Sequence, residues 1–300
     1  MFPVLISTAC SDEGNPGPTG QYRFYRSLEI EGRQRTYLLN LPPEYYSNSE
    51  KFALVIAMHG TGGDAYQFES DYKFTQITDD RQFIVVYPEG VRSSGVLEIR
   101  TWNAGYCCNY AADNNIADVE FISKLLDELL ENYNIDRERI YATGMSNGGM
   151  MAYRLACEMP ERIAAIAPVS CTMVTGQGVS PTKPMPVLHI HSERDIKIPS
   201  FGGIGIGDYY YPPLDSVLNV WAEVNGCISG PEIIVDDDAF KLTHWTNCKN
   251  DTVIEYYLTK DGGHAWPGSR KVRPRADEPS HVIDANELIM DFFQKHKLSH

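Results

Sequence analysis

"RIYATGMSNGGMMAYRLACEMP", residues 139–160, decides how the rest of the chain is read. "RIYATGM" has the apolar character of a short buried strand, and "NGGMMAYRLACEMP" reads as a helix stopped by Pro160. Between them, Gly144-Met145-Ser146-Asn147-Gly148 sets a serine two positions from a glycine on either side. That spacing is common by chance and carries little alone. Strand, turn and helix together carry more, because a strained strand-to-helix turn presents a serine hydroxyl as a nucleophile. A turn this sharp leaves no room for side chains at residues 144 and 148. The amide of Asn147 opens the helix and aims a donor, helped by the helix dipole, at an oxyanion formed there.

Outward from this stretch the chain alternates between strand-like and helix-like segments. "YRFYRSLEI" (22–30) and "RQRTYLLNLP" (33–42) read as an opening hairpin. "FALVIAMHG" (52–60) and "FIVVYPEG" (83–90) are continuous apolar runs of the kind found in parallel strands buried on both faces, and "IAAIAPVS" (163–170) and "MPVLHIHS" (185–192) repeat the pattern. "NNIADVEFISKLLDELLENYN" (114–134) carries apolar residues close to a 3.6-residue period, an amphipathic helix. "LDSVLNVWAEVNG" (214–226) and "HVIDANELIMDFFQKH" (281–296) read as two more helices, with "KLTHWTNCKNDTVIEYYLT" (241–259) as a hairpin at the sheet edge. The expectation is an α/β fold: a mainly parallel central sheet, helices on both faces and an N-terminal antiparallel hairpin. No linker or internal repeat divides residues 21–300, which read as one domain.

With 300 residues, 43% hydrophobic and 22% charged, the composition is that of a globular protein. A net charge of -14 opposes binding to nucleic acid or an anionic membrane and suits neutral substrates. Asp236-Asp237-Asp238 lacks the spacing of a calcium loop and reads as a solvated turn. Residues 1–20, "MFPVLISTACSDEGNPGPTG", run from a short apolar stretch into Cys10 and then a Gly/Pro-rich tether. They resemble the end of a bacterial lipoprotein signal, with Cys10 as the lipid-bearing residue and a secreted, periplasmic or outer-membrane location implied. Elsewhere no apolar stretch approaches the roughly 18 residues of a membrane-spanning helix.

A serine hydroxyl needs a base, and the base needs an acid to orient it. In sheets of this topology the order along the chain is Ser, acid, His. Asp195 follows the strand "PVLHIHS", at the edge where open parallel sheets hold their sites. His264 lies in "DGGHAWPG" (261–268), whose glycines permit a tight return over Ser146. His59, His189 and His191 read as hydrogen-bonded core or supporting histidines, and His244 and His281 as exposed. The second oxyanion donor is expected from "HGTGG" (59–63), at the amide of Thr61. A phosphate-cradling role for that loop lacks the companion residues.

These residues resemble the α/β-hydrolase esterases of the feruloyl esterase and polyhydroxybutyrate depolymerase-like group, within carbohydrate esterase family 1. The stretches that carry the resemblance are "MHGTGGD", "WNAGYCCNYAADNNIADVEFI", "RIYATGMSNGGMMAYRLACEMPERIAAIAPVS", "PVLHIHSERDIKIP", "WAEVNGC" and "GGHAWPG", in the family's order. The resemblance implies a serine esterase acting on feruloyl or acetyl esters of plant cell-wall xylan, with Ser146, Asp195 and His264 as its triad and no cofactor or metal. A polyhydroxyalkanoate or other polyester depolymerase is the alternative substrate class. A noncatalytic carbohydrate-binding lipoprotein on the same scaffold is the alternative of another kind. Two departures stand out: Ser192-Glu193-Arg194-Asp195 replaces the usual Gly-Thr-Ala-Asp, adding the carboxylate of Glu193, and Asn109-Tyr110 follows Cys107-Cys108 where a Gly-Pro or Gly-Tyr is common.

Of the seven cysteines, Cys227 and Cys248 are expected to form a disulfide, one ending a helix and the other lying on the hairpin before the His264 loop. Cys157 is expected to pair with Cys107 or Cys108 and Cys171 to take the other, a vicinal bridge being the strained alternative. Trp102, Trp266 and the tyrosines Tyr209, Tyr210 and Tyr211 are the candidates for stacking on a sugar or phenolic ring.

Overall fold

The structure is a computed structural model that describes residues 20–271 and 273–298. Cys10 and the expected tether around it lie outside the described residues. Chain order runs through the antiparallel pair β1 (Arg23–Ile30) and β2 (Arg33–Asn40), then β3 (Phe52–Met58), α1 (Ala65–Tyr72), α2 (Phe74–Asp80) and β4 (Ile84–Pro88). A small ribbon of β5 (Val91–Arg92) and β6 (Arg100–Thr101) precedes α3 (Asn109–Asp113) and α4 (Asp118–Asn132). Next come β7 (Ile135–Met145), α5 (Asn147–Glu158), β8 (Ala165–Val169) and β9 (Val187–Ser192). After the ribbon β10 (Gly203–Ile204) and β11 (Tyr210–Tyr211) follow α6 (Leu214–Asn225), β12 (Ser229–Asp236), β13 (Phe240–Thr246), β14 (Ile254–Thr259) and α7 (Ala285–Gln294).

Among the described residues the main sheet has ten strands in the order β1-β2-β4-β3-β7-β8-β9-β14-β13-β12. The inner run from β4 to β14 is parallel, and antiparallel pairs flank it at both edges. Strands β3, β4 and β8 are apolar and buried throughout because both of their faces are covered. In β3, Phe52, Leu54, Ile56 and Met58 join the core beneath α4, α5 and α6, while Ala53, Val55 and Ala57 join the core beneath α1, α2 and α7. The periodic segment becomes α4, which buries Phe121, Ile122, Leu125, Leu126 and Leu129, each worth roughly 1.5–3 kcal/mol when fully buried. At its first turn Asp118 is fully buried against Arg35 at 2.5 Å, a pair whose rupture would strand a charge.

The expected edge hairpin forms, but neither of its strands is at the edge, since β13 is covered by β12. β14 is an inner strand, parallel to β9, and the edge strand is β12, whose exposed residues give no burial pattern to read. The chain leaves β3 for β4 on one side and later returns to place β7 on the other. The carboxyl ends of β3 and β7 therefore flank the point where strand order reverses, and open α/β sheets bind ligands there.

Candidate active site

Ser146 sits at that reversal. β7 ends at Met145, α5 begins at Asn147, and Ser146 between them has φ 56° and ψ -121°. A non-glycine residue in such a conformation costs on the order of 1–3 kcal/mol, so the surroundings must enforce it. The Ser146 amide donates to Val169 O at 2.9 Å, tying the turn to the end of β8. The glycines have the steric role expected of them, with a third party involved. A Cβ on Gly144 would stand 2.5 Å from Gly148 C, and one on Gly148 would stand 2.0 Å from Met58 O on β3.

His264 comes back over the turn on the loop after β14. Its Nε2 lies 2.9 Å from Ser146 Oγ, and its Nδ1 lies 2.7 Å from Asp195 Oδ2. The loop is held from several sides. The His264 amide donates to Asp277 Oδ2 at 2.9 Å, and Ser192 Oγ reaches Asp261 O at 3.0 Å. Gly262 has φ 66° and passes so close to Ser280 N that a Cβ would lie 2.4 Å from it.

Asp195 follows β9 and is buried. Its Oδ1 accepts the amides of Lys197 and Ile198, both at 2.9 Å, and its Oδ2 takes His264 and, at 3.2 Å, His191 Nε2. Burial works to raise its pKa. The hydrogen bonds from His191 and His264 outweigh that and hold the carboxyl well below the usual range. Asp195 is thus a carboxylate, the state needed to accept from His264. The extra carboxylate Glu193 is exposed, and its amide donates to Thr259 O at 3.0 Å.

The loop "HGTGG" packs on the turn: a Cβ on Gly60 would lie 3.3 Å from Ser146 Cβ. His59 shapes it. Its Nδ1 donates to Gly60 O at 2.7 Å and its Nε2 accepts the Gly90 amide at 2.9 Å, and burial pushes its pKa down to about 4, keeping the ring neutral. Thr61 lines the cleft beside Ser146. The backbone amides of Thr61 and Asn147 have no acceptor among the described residues.

The cleft around Ser146 and His264 has a volume of about 310 Å³ and is mainly apolar, with Tyr72, Met145, Met150, Ile198, Ile206 and Tyr209 in its walls. Several aromatic residues expected there are elsewhere. Trp102 is fully buried: its indole donates to His59 O at 2.9 Å, and its backbone amide and carbonyl pair with the Asn147 side chain at 2.7 and 3.1 Å. It braces the two amide-bearing segments from behind instead of stacking on a ligand. Trp266 is buried too, stacked on Tyr72 at 4.9 Å with its indole donating to Asn286 Oδ1 at 2.9 Å, so that Tyr72 lines the cleft in its place. Tyr209 and Tyr211 line the cleft, whereas Tyr210 is 55% exposed and does not. Lys197 and Arg273 add two cations to the lining, and Lys197 pairs with Asp277 at 3.1 Å.

Cys227 and Cys248 are bridged, as expected. The other expected pairing is overturned: Cys107 and Cys108 are bridged to each other, the strained alternative, and Cys157 and Cys171, both buried, are unbridged among the described residues. The reason is distance. Cys108 Sγ sits 3.9 Å from Met150 Sδ near the start of α5, and Cys157 is seven residues further along, about 10 Å down the helix axis. Burial pushes the Cys157 thiol up to about 12. Among the described residues no helix is long and apolar enough to cross a membrane.

A parallel sheet covered on both faces, with a serine on a strand-to-helix turn and a histidine loop folded over it, is an α/β-hydrolase fold. The chain belongs to the family described as esterase PHB depolymerase, whose family model matches residues 35–228. It is similar to the putative esterase NocK of Nocardia uniformis subsp. tsuyamanensis, 33% identical over 171 residues, 57% of this chain and 48% of that protein. It is also similar to feruloyl esterase B of Piromyces equi, 27% identical over 231 residues, 74% of this chain and 41% of that protein. The chain thus spans less than half the length of these two relatives. The probable feruloyl esterase C of Aspergillus clavatus is 26% identical over 227 residues, 70% of this chain and 76% of that protein. Among solved structures, the acetyl xylan esterase from Aspergillus awamori superposes with a TM-score of 0.62 at 15% identity, covering 90% of this chain and 99% of that one. That likeness is one of fold.

Proposed function

We propose that the protein is a serine carboxylic-ester hydrolase working through an acyl-enzyme, with residues 21–300 as one catalytic domain. The observation that carries the reading is the position of His264, 2.9 Å from Ser146 Oγ and 2.7 Å from the Asp195 carboxylate. Ser146 Oγ attacks the ester carbonyl as His264 Nε2 takes its proton. The free amides of Thr61 and Asn147 receive the oxyanion, and preorganised donors of this kind stabilise the transition state more than water can. His264 then protonates the leaving alcohol, and Asp195 stabilises the imidazolium throughout. Water, activated by the same histidine, releases the acid and restores Ser146.

Feruloyl or acetyl esters of xylan are the proposed substrates, supported by the feruloyl esterase names of two relatives and by a mostly apolar cleft that suits an aromatic acyl group. A polyester is the second reading, favoured by Ile206, an apolar side chain in the cleft wall that is also exposed to solvent. Ser146→Ala should abolish turnover of a p-nitrophenyl ester while leaving the circular dichroism spectrum unchanged, and a fluorophosphonate probe should label only the unsubstituted protein. Failure of the folded protein to react with the probe would favour a noncatalytic binder. Methyl ferulate, acetylated xylan and a hydroxybutyrate oligomer then separate the acyl groups.

A further inference from the structure

Behind Asp195 lies a set of buried polar groups that the proposed reaction does not use. His189 and His191, two residues apart on β9, point to the same face with stacked rings 5.5 Å apart, and both are buried. Tyr153, on α5 seven residues beyond Ser146, is fully buried as well. Tyr153 OH lies 2.8 Å from His189 Nδ1, His189 Nε2 lies 3.2 Å from His191 Nδ1, and His191 Nε2 lies 2.9 Å from Ile198 O and 3.2 Å from Asp195 Oδ2.

The chemistry of the ends sets the direction of every bond between them. Ile198 O and the Asp195 carboxylate can only accept, so His191 Nε2 carries a hydrogen. At the other end, the buried Tyr153 hydroxyl has no acceptor other than His189 Nδ1 among the described residues, so it donates there. Burial drives the His189 pKa well down, so that ring is neutral, its Nδ1 is the acceptor, and its Nε2 carries the hydrogen that goes to His191 Nδ1. Burial likewise keeps Tyr153 protonated, and His189 Nδ1 is its hydroxyl's partner among the described residues.

We infer that Tyr153, His189 and His191 are positioning residues, a one-way chain of hydrogen bonds that ends on Asp195 Oδ2 and fixes that oxygen toward His264. The inference rests on the proposed triad. With it, a circuit closes: along the covalent chain of α5 from Ser146 to Tyr153, then by polar contacts across to β9, through both histidines to Asp195, and back through His264 to Ser146. Helix α5 and strand β9 cannot shift against each other without disturbing the acid. Oδ1 is already held by two backbone amides. The chain supplies the constraint on the other oxygen, the one that accepts from His264.

The test compares His191→Leu, which removes the donor, with His191→Gln, whose amide nitrogen reaches the place of Nε2. On a p-nitrophenyl ester, His191→Leu should lose roughly 10- to 100-fold in kcat with KM within about twofold, the effect of misplacing a catalytic group by a fraction of an ångström. The acid limb of its pH–rate profile should move to higher pH, because a carboxylate sharing its charge with one donor fewer holds the His264 imidazolium more tightly. His191→Gln should recover most of both. An unchanged rate and profile in His191→Leu, or equal impairment in the two variants, would overturn the inference. Should His191→Leu fail to fold, Tyr153→Phe keeps the ring and removes only the first donor. It should shift the low-field proton resonance of the His264–Asp195 hydrogen bond and move the acid limb the same way, and an unmoved resonance and limb would overturn the chain. Ser146→Ala, assayed in parallel, tests the triad separately: residual turnover there discards the triad reading, while its loss alongside an indifferent His191→Leu discards only the chain.

Discussion

Asp195→Asn is the perturbation whose outcome the geometry specifies most tightly. The two oxygens of Asp195 are not equivalent: Oδ1 faces the amides of Lys197 and Ile198, while Oδ2 faces His264 Nδ1 and His191 Nε2. An asparagine must keep its oxygen on the amide side, since its NH2 there would oppose two donors. Its NH2 then faces His264 and forces the imidazole into the tautomer with the proton on Nε2. That proton points at Ser146 Oγ, 2.9 Å away, so the ring can no longer act as base. In serine hydrolases generally, the wrong tautomer costs about 10⁴-fold in kcat, equivalent to ~5.4 kcal/mol of transition-state stabilisation at 1.36 kcal/mol per decade. A loss of at least about 10³-fold is therefore expected, read from steady-state hydrolysis of a p-nitrophenyl ester at neutral pH with the fold checked by circular dichroism. The variant also carries a stability signature. A carboxylate held below its unfolded pKa contributes stability that is present above the unfolded value near ~3.9 and is lost as pH falls through the folded one. Asp195→Asn should therefore melt at a lower temperature than the parent at pH 7, with the gap closing as pH drops below about 4. A variant within tenfold of parental kcat would refute the assignment of Asp195 as the orienting acid.

Two further outcomes follow from local packing. Gly148→Ala places a methyl group 2.0 Å from Met58 O and 2.6 Å from His59 O, backbone atoms that cannot swing aside. It should lower stability by about 1–3 kcal/mol, the usual cost of overpacking, seen as a reduced Tm, and should cut turnover by displacing Ser146. A Tm equal to the parent's would show that the turn tolerates a side chain there. Replacing both Cys227 and Cys248 by Ser opens a bridge that closes 21 residues of sequence separation. The chain-entropy relation gives a loss of ~3 kcal/mol for a loop of that size, measurable by urea denaturation. Activity at 25 °C should persist, because neither cysteine lines the cleft.

Much of the fold is legible in the sequence because burial on both faces leaves a plain mark. A strand such as β3, with all of its residues buried, must be apolar throughout, and α4 must repeat its apolar residues at helical spacing to cover the sheet. Ser146, Asp195 and His264 are legible for a related reason: each follows an inner strand directly, so strand order alone brings them to one edge of the sheet. Elements that bury little leave no such mark. The eight-residue α1 buries Ala65 and Phe68, and β12 lies exposed at the sheet edge, so neither shows a periodicity.

The walls of the cleft are hidden by a different mechanism. Whether a tryptophan faces a ligand or a neighbouring backbone depends on contacts between segments far apart in sequence. Trp102 spends its indole donor on His59 O and its backbone on Asn147, 45 residues away. Trp266 sits two residues after His264, and that proximity is what buries it. For His264 to reach Ser146, the loop must be anchored against the body of the protein, and the anchor is the large ring wedged against Phe68, Tyr72 and Phe74. A side chain that holds the loop down cannot also greet the substrate, so that surface passes to Tyr72, whose ring lies against Trp266 and lines the cleft. The same logic governs His189 and His191: the pattern His-x-His on a strand says only that two rings share a face, and it is the positions of Tyr153 and Asp195 at either end that turn the shared face into a directed chain.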